Sequence, residues 1–165
     1  MTTLDATVLR RALLVERGIE RRLDELVRLA NTAALRLEQS PNMETAQLRN
    51  LLTVAQRTPA VEAVINFVRY QIGRNHRERA REPNPWGSGP DGFGHTVIGH
   101  LRNEFAAMAG AIVAEVEAVA GAEASAAETR RQIHVQLMQL YIGYIGRGFS
   151  YASKVKSFND LRGGV

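Results

Sequence analysis

The chain has 165 residues, 45% of them apolar and only 6% aromatic, with a formal net charge of +4 and no cysteine. The apolar share supports a packed core rather than wholesale disorder, and the length is that of one domain, 1–165. Without cysteine there are no disulfides, no thiolate zinc sites and no cysteine nucleophiles.

The first 40 residues read as a long N-terminal helix, Leu4 to about Glu38, continuous or broken near Gly18. Leu9, Leu13, Ile19, Leu23, Leu26, Leu29 and Ala33 recur at threes and fours, the spacing of a buried helix face. Arg10, Arg17, Arg21, Asp24, Glu25 and Arg28 mix signs on the other side, as a solvated face does. Gln39 to Met43 holds a proline and an asparagine and breaks the chain. A second helix is expected from Thr45, a good N-cap, to about Thr58, carrying Leu48, Leu51, Leu52 and Val54.

Pro59 suits the first turn of a third helix, Ala60 to about His76. Val61, Val64, Ile65, Val68 and Ile72 fall on one arc and predict its core face. Away from that arc lie Arg69, Tyr70, Gly73, Arg74 and Arg77. A glycine among arginines removes bulk and lets a polymer backbone approach. From Phe67 to Arg81 there are five arginines against one glutamate. Cations also favour a helix C-terminus through the macrodipole, and a GC-rich genome raises arginine everywhere. The uneven placement favours a polyanion site, because the N-terminal helix shows what an ordinary solvated face looks like here.

RERAREPNPWGSGPDGFG, residues 77–94, follows with dense proline and glycine. It predicts a flexible loop over 77–95 that includes Trp86. A fourth helix is expected from Thr96 to Ala120, with Val97, Leu101, Phe105, Met108, Ile112 and Val116 on one face. The fifth, Ala126 to Lys154, is apolar nearly all round, which requires burial on two sides. Tyr144, Arg147, Tyr151 and Lys154 form an aromatic-and-basic stripe at its end, a pattern that can track a nucleic-acid backbone and that packed tyrosines also produce. Gly143, Gly146 and Gly148 weaken that helix unless close helix contact compensates. No run alternates with period two, so the fold class is all-α, a single-domain bundle of about five helices.

Asp91, His95, His100 and Glu104 are the nearest approach to a metal cluster. His95 and His100, five apart, do not share a helix face. No phosphate-cradling loop and no nucleophile elbow is present. The chain is read as a non-enzyme without a cofactor or metal. It lacks an apolar leader, and its longest uncharged run, Phe105 to Ala114, is too short for a bilayer, so a cytoplasmic protein without membrane contact is expected.

Two motifs carry a family resemblance. TAQLR, Thr45 to Arg49, followed by Asn50, Leu51 and Leu52, is similar to a Thr-small-Gln-aliphatic-Arg pattern near a helix start. YQIGR, Tyr70 to Arg74, is similar to an aromatic-x-x-Gly-Arg ending of an aliphatic helix. In this order and spacing they resemble the small helical subunit of type III CRISPR–Cas interference complexes, of the Csm type. A weaker echo is LMQLYIGYIGRG near the C-terminus. The long N-terminal helix and the 77–94 segment have no place in that pattern.

The resemblance implies a non-catalytic helical bundle, repeated along a backbone filament beside a large subunit and neighbouring copies of itself. Its basic surfaces would touch guide RNA and target RNA. Arg49 and Arg74 sit in the matched motifs and would contact phosphates. Arg69 and Arg77 join them by the helical wheel, and Arg147 and Lys154 through the C-terminal stripe. Two rival readings are a helical scaffold that binds only proteins and a helix-turn-helix regulator. The second is disfavoured because TVAQRT presents few base-reading side chains.

Overall fold

The computed structural model describes residues 3–78, 83–87 and 89–163, without the side chains of 3–5 and 75–78. The regular structure of the described residues is all helical, in more helices than the five expected, because the N-terminal and fourth helices are each divided and a short C-terminal helix is added. In order these residues form α1 (Thr3–Glu20), α2 (Leu23–Leu35), a 3-10 turn (Arg36–Gln39), α3 (Thr45–Arg57) and α4 (Val61–Glu78). Then follow α5 (Phe93–Gly99), a π-turn (His100–Glu104), α6 (Phe105–Ala120), α7 (Ala126–Val155) and the short α8 (Asn159–Arg162). None is long and apolar enough to cross a membrane among the described residues.

Helix α7 is the axis, as its all-round apolar character requires. Ile133, Leu137, Met138, Tyr141, Ile142 and Ile145 are all buried, with α2, α3 and α6 packed along it. α3 runs antiparallel to α7, since Arg131 donates to Pro59 O at 2.7 Å and Gln139 to Ala55 O at 3.1 Å.

Several boundaries differ from expectation, each for a local reason. The N-terminal helix breaks at Arg21–Arg22, where Arg22 leaves helical geometry at φ −108, and not at Gly18. Gly18 is buried, and a Cβ there would lie 2.8 Å from Ile112, so this glycine serves close packing of α1 on α6. Arg21 and Arg22 both pair with Glu115 of α6, at 2.8 and 2.5 Å, and hold the break. Glu44, not Thr45, is the N-cap of α3, its backbone N–H donating to Gln47 Oε1 at 3.0 Å. After Val155 the chain turns through Lys156 at φ 55 into α8, which periodicity did not reveal.

The 77–95 loop is shorter than expected and partly packed. Residues 79–82 and 88 lie outside the described residues. α4 continues to Glu78 and α5 begins at Phe93, three residues before the expected Thr96. Trp86 is 1% exposed, edge-on to Phe67 with centroids 6.4 Å apart and against Phe93 at 5.5 Å. Asn84 fastens the segment by donating to Ile72 O at 3.0 Å and accepting from the backbone N–H of Trp86 at 3.0 Å. Gly87 (φ +75) would place a Cβ 2.5 Å from Gly92 Cα, so only glycine closes this turn.

The expected stripe Val97, Leu101, Phe105, Met108, Ile112 and Val116 is buried throughout. A regular α-helix would rotate that stripe by about 100° between Val97 and Val116. The extra residue of the π-turn takes up the rotation, so both ends face the core. Leu101 O in the π-turn accepts from His134 Nε2 at 2.7 Å. Beside it His100 Nδ1 and the Tyr141 hydroxyl lie 2.7 Å apart. Tyr141 is fully buried, and its proton has no other acceptor among the described residues, so Tyr141 donates and His100 accepts as a neutral ring. Burial pushes the tyrosine well above the ordinary phenol value.

Burial also lowers the His100 pKa, Glu104 opposes it, and Arg28 on α2 and Arg36 in the 3-10 turn lower it further. The unfolded chain therefore binds this proton more readily. His100's contribution to stability is complete above the ordinary histidine value of 6.5 and is lost as pH falls below it toward the depressed folded value. Glu62, Glu115 and Glu128, each held by an arginine below the ordinary 4.5, act only at lower pH. The melting temperature is expected to fall between pH 7 and 5, and His100→Gln to flatten that slope. Parallel slopes in the two proteins would show that His100 is not the titrating group.

Candidate nucleic-acid interface

α4 is amphipathic in the expected sense. Val64, Ile65 and Val68 are fully buried, and Val61 and Ile72 partly so. Arg69, Tyr70, Gly73 and Arg74 are exposed on the other side, Tyr70 at 60%. A Cβ added at Gly73 would meet no atom within 4 Å, so the helix backbone is bare between the arginines. Arg77 lies in the last turn of α4, with its side chain outside the described residues.

Several arginines elsewhere work structurally, though Arg10, Arg17 and Arg57 are exposed and reach no carboxylate among the described residues. Arg102 clamps Glu62 with two bonds of 3.1 and 2.8 Å, and Arg131 clamps Glu128. Arg162 pairs with Glu38, and Arg11 with Glu123 at 3.4 Å and with Gly121 O at 2.8 Å. By contrast Arg49, Arg69 and Lys154 are exposed and reach no carboxylate among the described residues. The Glu62 carboxyl is lowered first by Arg102, and Arg69 adds only a small through-space contribution.

The six candidate residues do not share one face. Arg49 falls on the side of α3 that carries Leu52 and Gln56. Those two, with Tyr144 and Arg147, line a groove of about 1010 Å³ walled by α1, α3 and α7. No α4 residue lines it. Lys154 is two helical turns beyond Arg147 on α7 and is exposed. Within the C-terminal stripe, Tyr144 is half-buried beneath the Arg147 guanidinium, 5.6 Å from its ring centre, and Tyr151 donates to Asp160 at 2.5 Å. The stripe therefore divides between the groove and a local contact with α8.

Sequence reasoning missed the groove. Gln132, Gln136, Gln139 and Gly143 recur at helical spacing along its α7 wall, and that period was the available signal. The residues weighed as metal ligands stay apart: among the described residues no three histidine or acidic side chains gather. His100 is turned to Tyr141, whereas His95 is exposed. No family model, curated protein or solved structure matches this chain.

Proposed function

We propose that the chain is a non-catalytic RNA-binding subunit of a type III CRISPR effector complex. It would hold the backbone of guide and target RNA and pack, in repeated copies, beside the backbone and large subunits. The observation that carries RNA contact is the solvent face of α4: exposed Arg69 and Arg74 flank a bare helix backbone at Gly73 and exposed Tyr70. The motif resemblance at Thr45–Arg49 and Tyr70–Arg74 supplies the type of complex.

Contacts of this kind position phosphates and read no bases, which suits a complex whose sequence reading lies in guide–target pairing. The α4 face is the principal contact, with Arg77 at its end. Arg49, Arg147 and Lys154, exposed on α3 and α7, would be secondary contacts apart from that face.

Fluorescence anisotropy with two RNAs of unrelated sequence, across a salt series, tests this. Arg69→Ala with Arg74→Ala is expected to weaken both RNAs alike and to lower the salt slope of log K by about 0.7 for each lost contact. Melting should change by less than about 0.5 kcal/mol, since both side chains are exposed. Unchanged affinity and slope would reduce the face to a solvated helix surface. RNA recovered with the tagged chain from its host should be repeat-derived guide, and recovery of none would remove the CRISPR reading.

A further inference from the structure

The groove between α1 and α7 measures about 1010 Å³, and three features of it converge. The first is its floor. Gly143 sits mid-way along a long helix, where glycine is less stable than alanine. A Cβ there would meet nothing within 4 Å, so no contact inside the chain compensates for the missing side chain. Gly148 differs, with Asn31 and Leu161 against it at 3.5 Å. Glycine at a groove floor allows another backbone to come close.

The second feature is the chemistry of the walls. α1 presents Val15 and Ile19, and α3 and α7 present Leu52 and Leu140, all only partly buried. Gln56 and Gln136 stand exposed among them, with no hydrogen bond to the described residues. An apolar floor with carboxamides at its edges suits an amphipathic helix, whose side chains are part apolar and part polar. A helix is about 10 Å across and rises about 1.5 Å per residue, so the volume holds about two turns.

The third is charge. Glu16 and Glu20 line the α1 side one turn apart, exposed and without a cation partner among the described residues. Two arginines also line the groove, but Arg11 is tied to Glu123 and Gly121 O and Arg147 lies over the Tyr144 ring, so the carboxylates on the α1 rim are the ones left to attract basic side chains. We infer that this groove receives a helix of a partner protein that packs against Gly143 and sets lysine or arginine, four residues apart, against Glu16 and Glu20. This goes beyond the RNA reading: it uses none of the α4 residues, and of the RNA candidates only Arg147 also lines the groove.

The probe is a fluorescein-labelled, 16-residue helical peptide with a leucine stripe and two flanking lysines at i,i+4, compared with a version bearing glutamates there. The lysine peptide is expected to bind the full chain at least tenfold more tightly. Glu16→Lys with Glu20→Lys should reverse that order. Gly143→Phe should abolish binding with helicity intact, because its side chain has space to enter the groove.

Gly143→Ala should raise the melting temperature by about 2–4 °C yet weaken the peptide several-fold. A Gly143 with only a structural role would not give that pair of changes. Lack of binding by either peptide at 1 mM, or indifference to Glu16, Glu20 and Gly143, would overturn the proposal. So would a dimer in sedimentation that Gly143→Phe dissolves, since the occupant would then be a second copy. Displacement of the peptide by RNA, strengthened by Glu16→Lys, would overturn it in favour of nucleic acid. Arg69→Ala with Arg74→Ala should leave peptide binding unchanged, so this inference and the RNA reading fail separately.

Discussion

Val68→Asp is expected to cost about 3–5 kcal/mol, enough to remove much of the stability of an ordinary domain. Val68 is fully buried on α4 beside Val64 and Ile65, within the main apolar cluster. A carboxylate there has neither water nor a cation to replace it, so it either stays charged at a large cost or takes up a proton. Arg69→Asp, one residue on, is the natural control. It turns the helix by about 100° into solvent, where substitutions commonly change stability by less than about 0.5 kcal/mol. Urea denaturation of the two variants measures the difference. If Val68→Asp melted like the parent with full helicity, α4 would be rotated from the orientation described, and the arginine face with it.

Trp86→Ala should cost a similar amount, about 3–5 kcal/mol. The indole fills the space between Phe67 on α4 and Phe93 at the start of α5, so its loss leaves a large cavity. One local effect opposes it: Nε1–H of Trp86 is buried without a partner among the described residues, a condition worth about 1–3 kcal/mol of lost hydration. Trp86→Phe removes that unpaired donor while retaining one ring, and should cost clearly less than alanine. Trp86 is the sole tryptophan, so native emission should be blue-shifted and move to the red on unfolding. A native spectrum like that of free tryptophan, with a stability loss below about 1 kcal/mol for alanine, would mean the segment is not docked.

The two expectations also mark where the sequence could be read. The core arc of α4 and the stripe from Val97 to Val116 were legible because burial repeats along one helix and needs no distant partner. Gly18 misled because a glycine that lets α1 lie against Ile112 looks, in one dimension, like one that ends a helix. The true break at Arg21–Arg22 contains no glycine or proline, and its hold on Glu115 is remote in sequence. Proline and glycine in the 83–94 segment announced turns correctly. Whether Trp86 docks depends on Phe67 and Phe93, which only the fold brings together. The exposure of Arg69 and Arg74 on α4 followed from the helical wheel. The groove did not, since its walls come from α1, α3 and α7 and its floor is a glycine.

The π-turn at His100–Glu104 has a bearing on how this chain relates to others of its shape. It is the one place in the 93–120 rod where a residue can be lost and the buried stripe kept in register, because the deletion turns a wide turn into a regular one. A shorter homologue would carry its gap there and would have no need of a histidine at position 134 to satisfy the Leu101 carbonyl. An ungapped alignment across Gly99 to Phe105 would shift every later position by one and turn the buried stripe of α6 by about 100° against that of the relative. Insertions and deletions, more than substitutions, are therefore the changes by which descent in this fold would be traced.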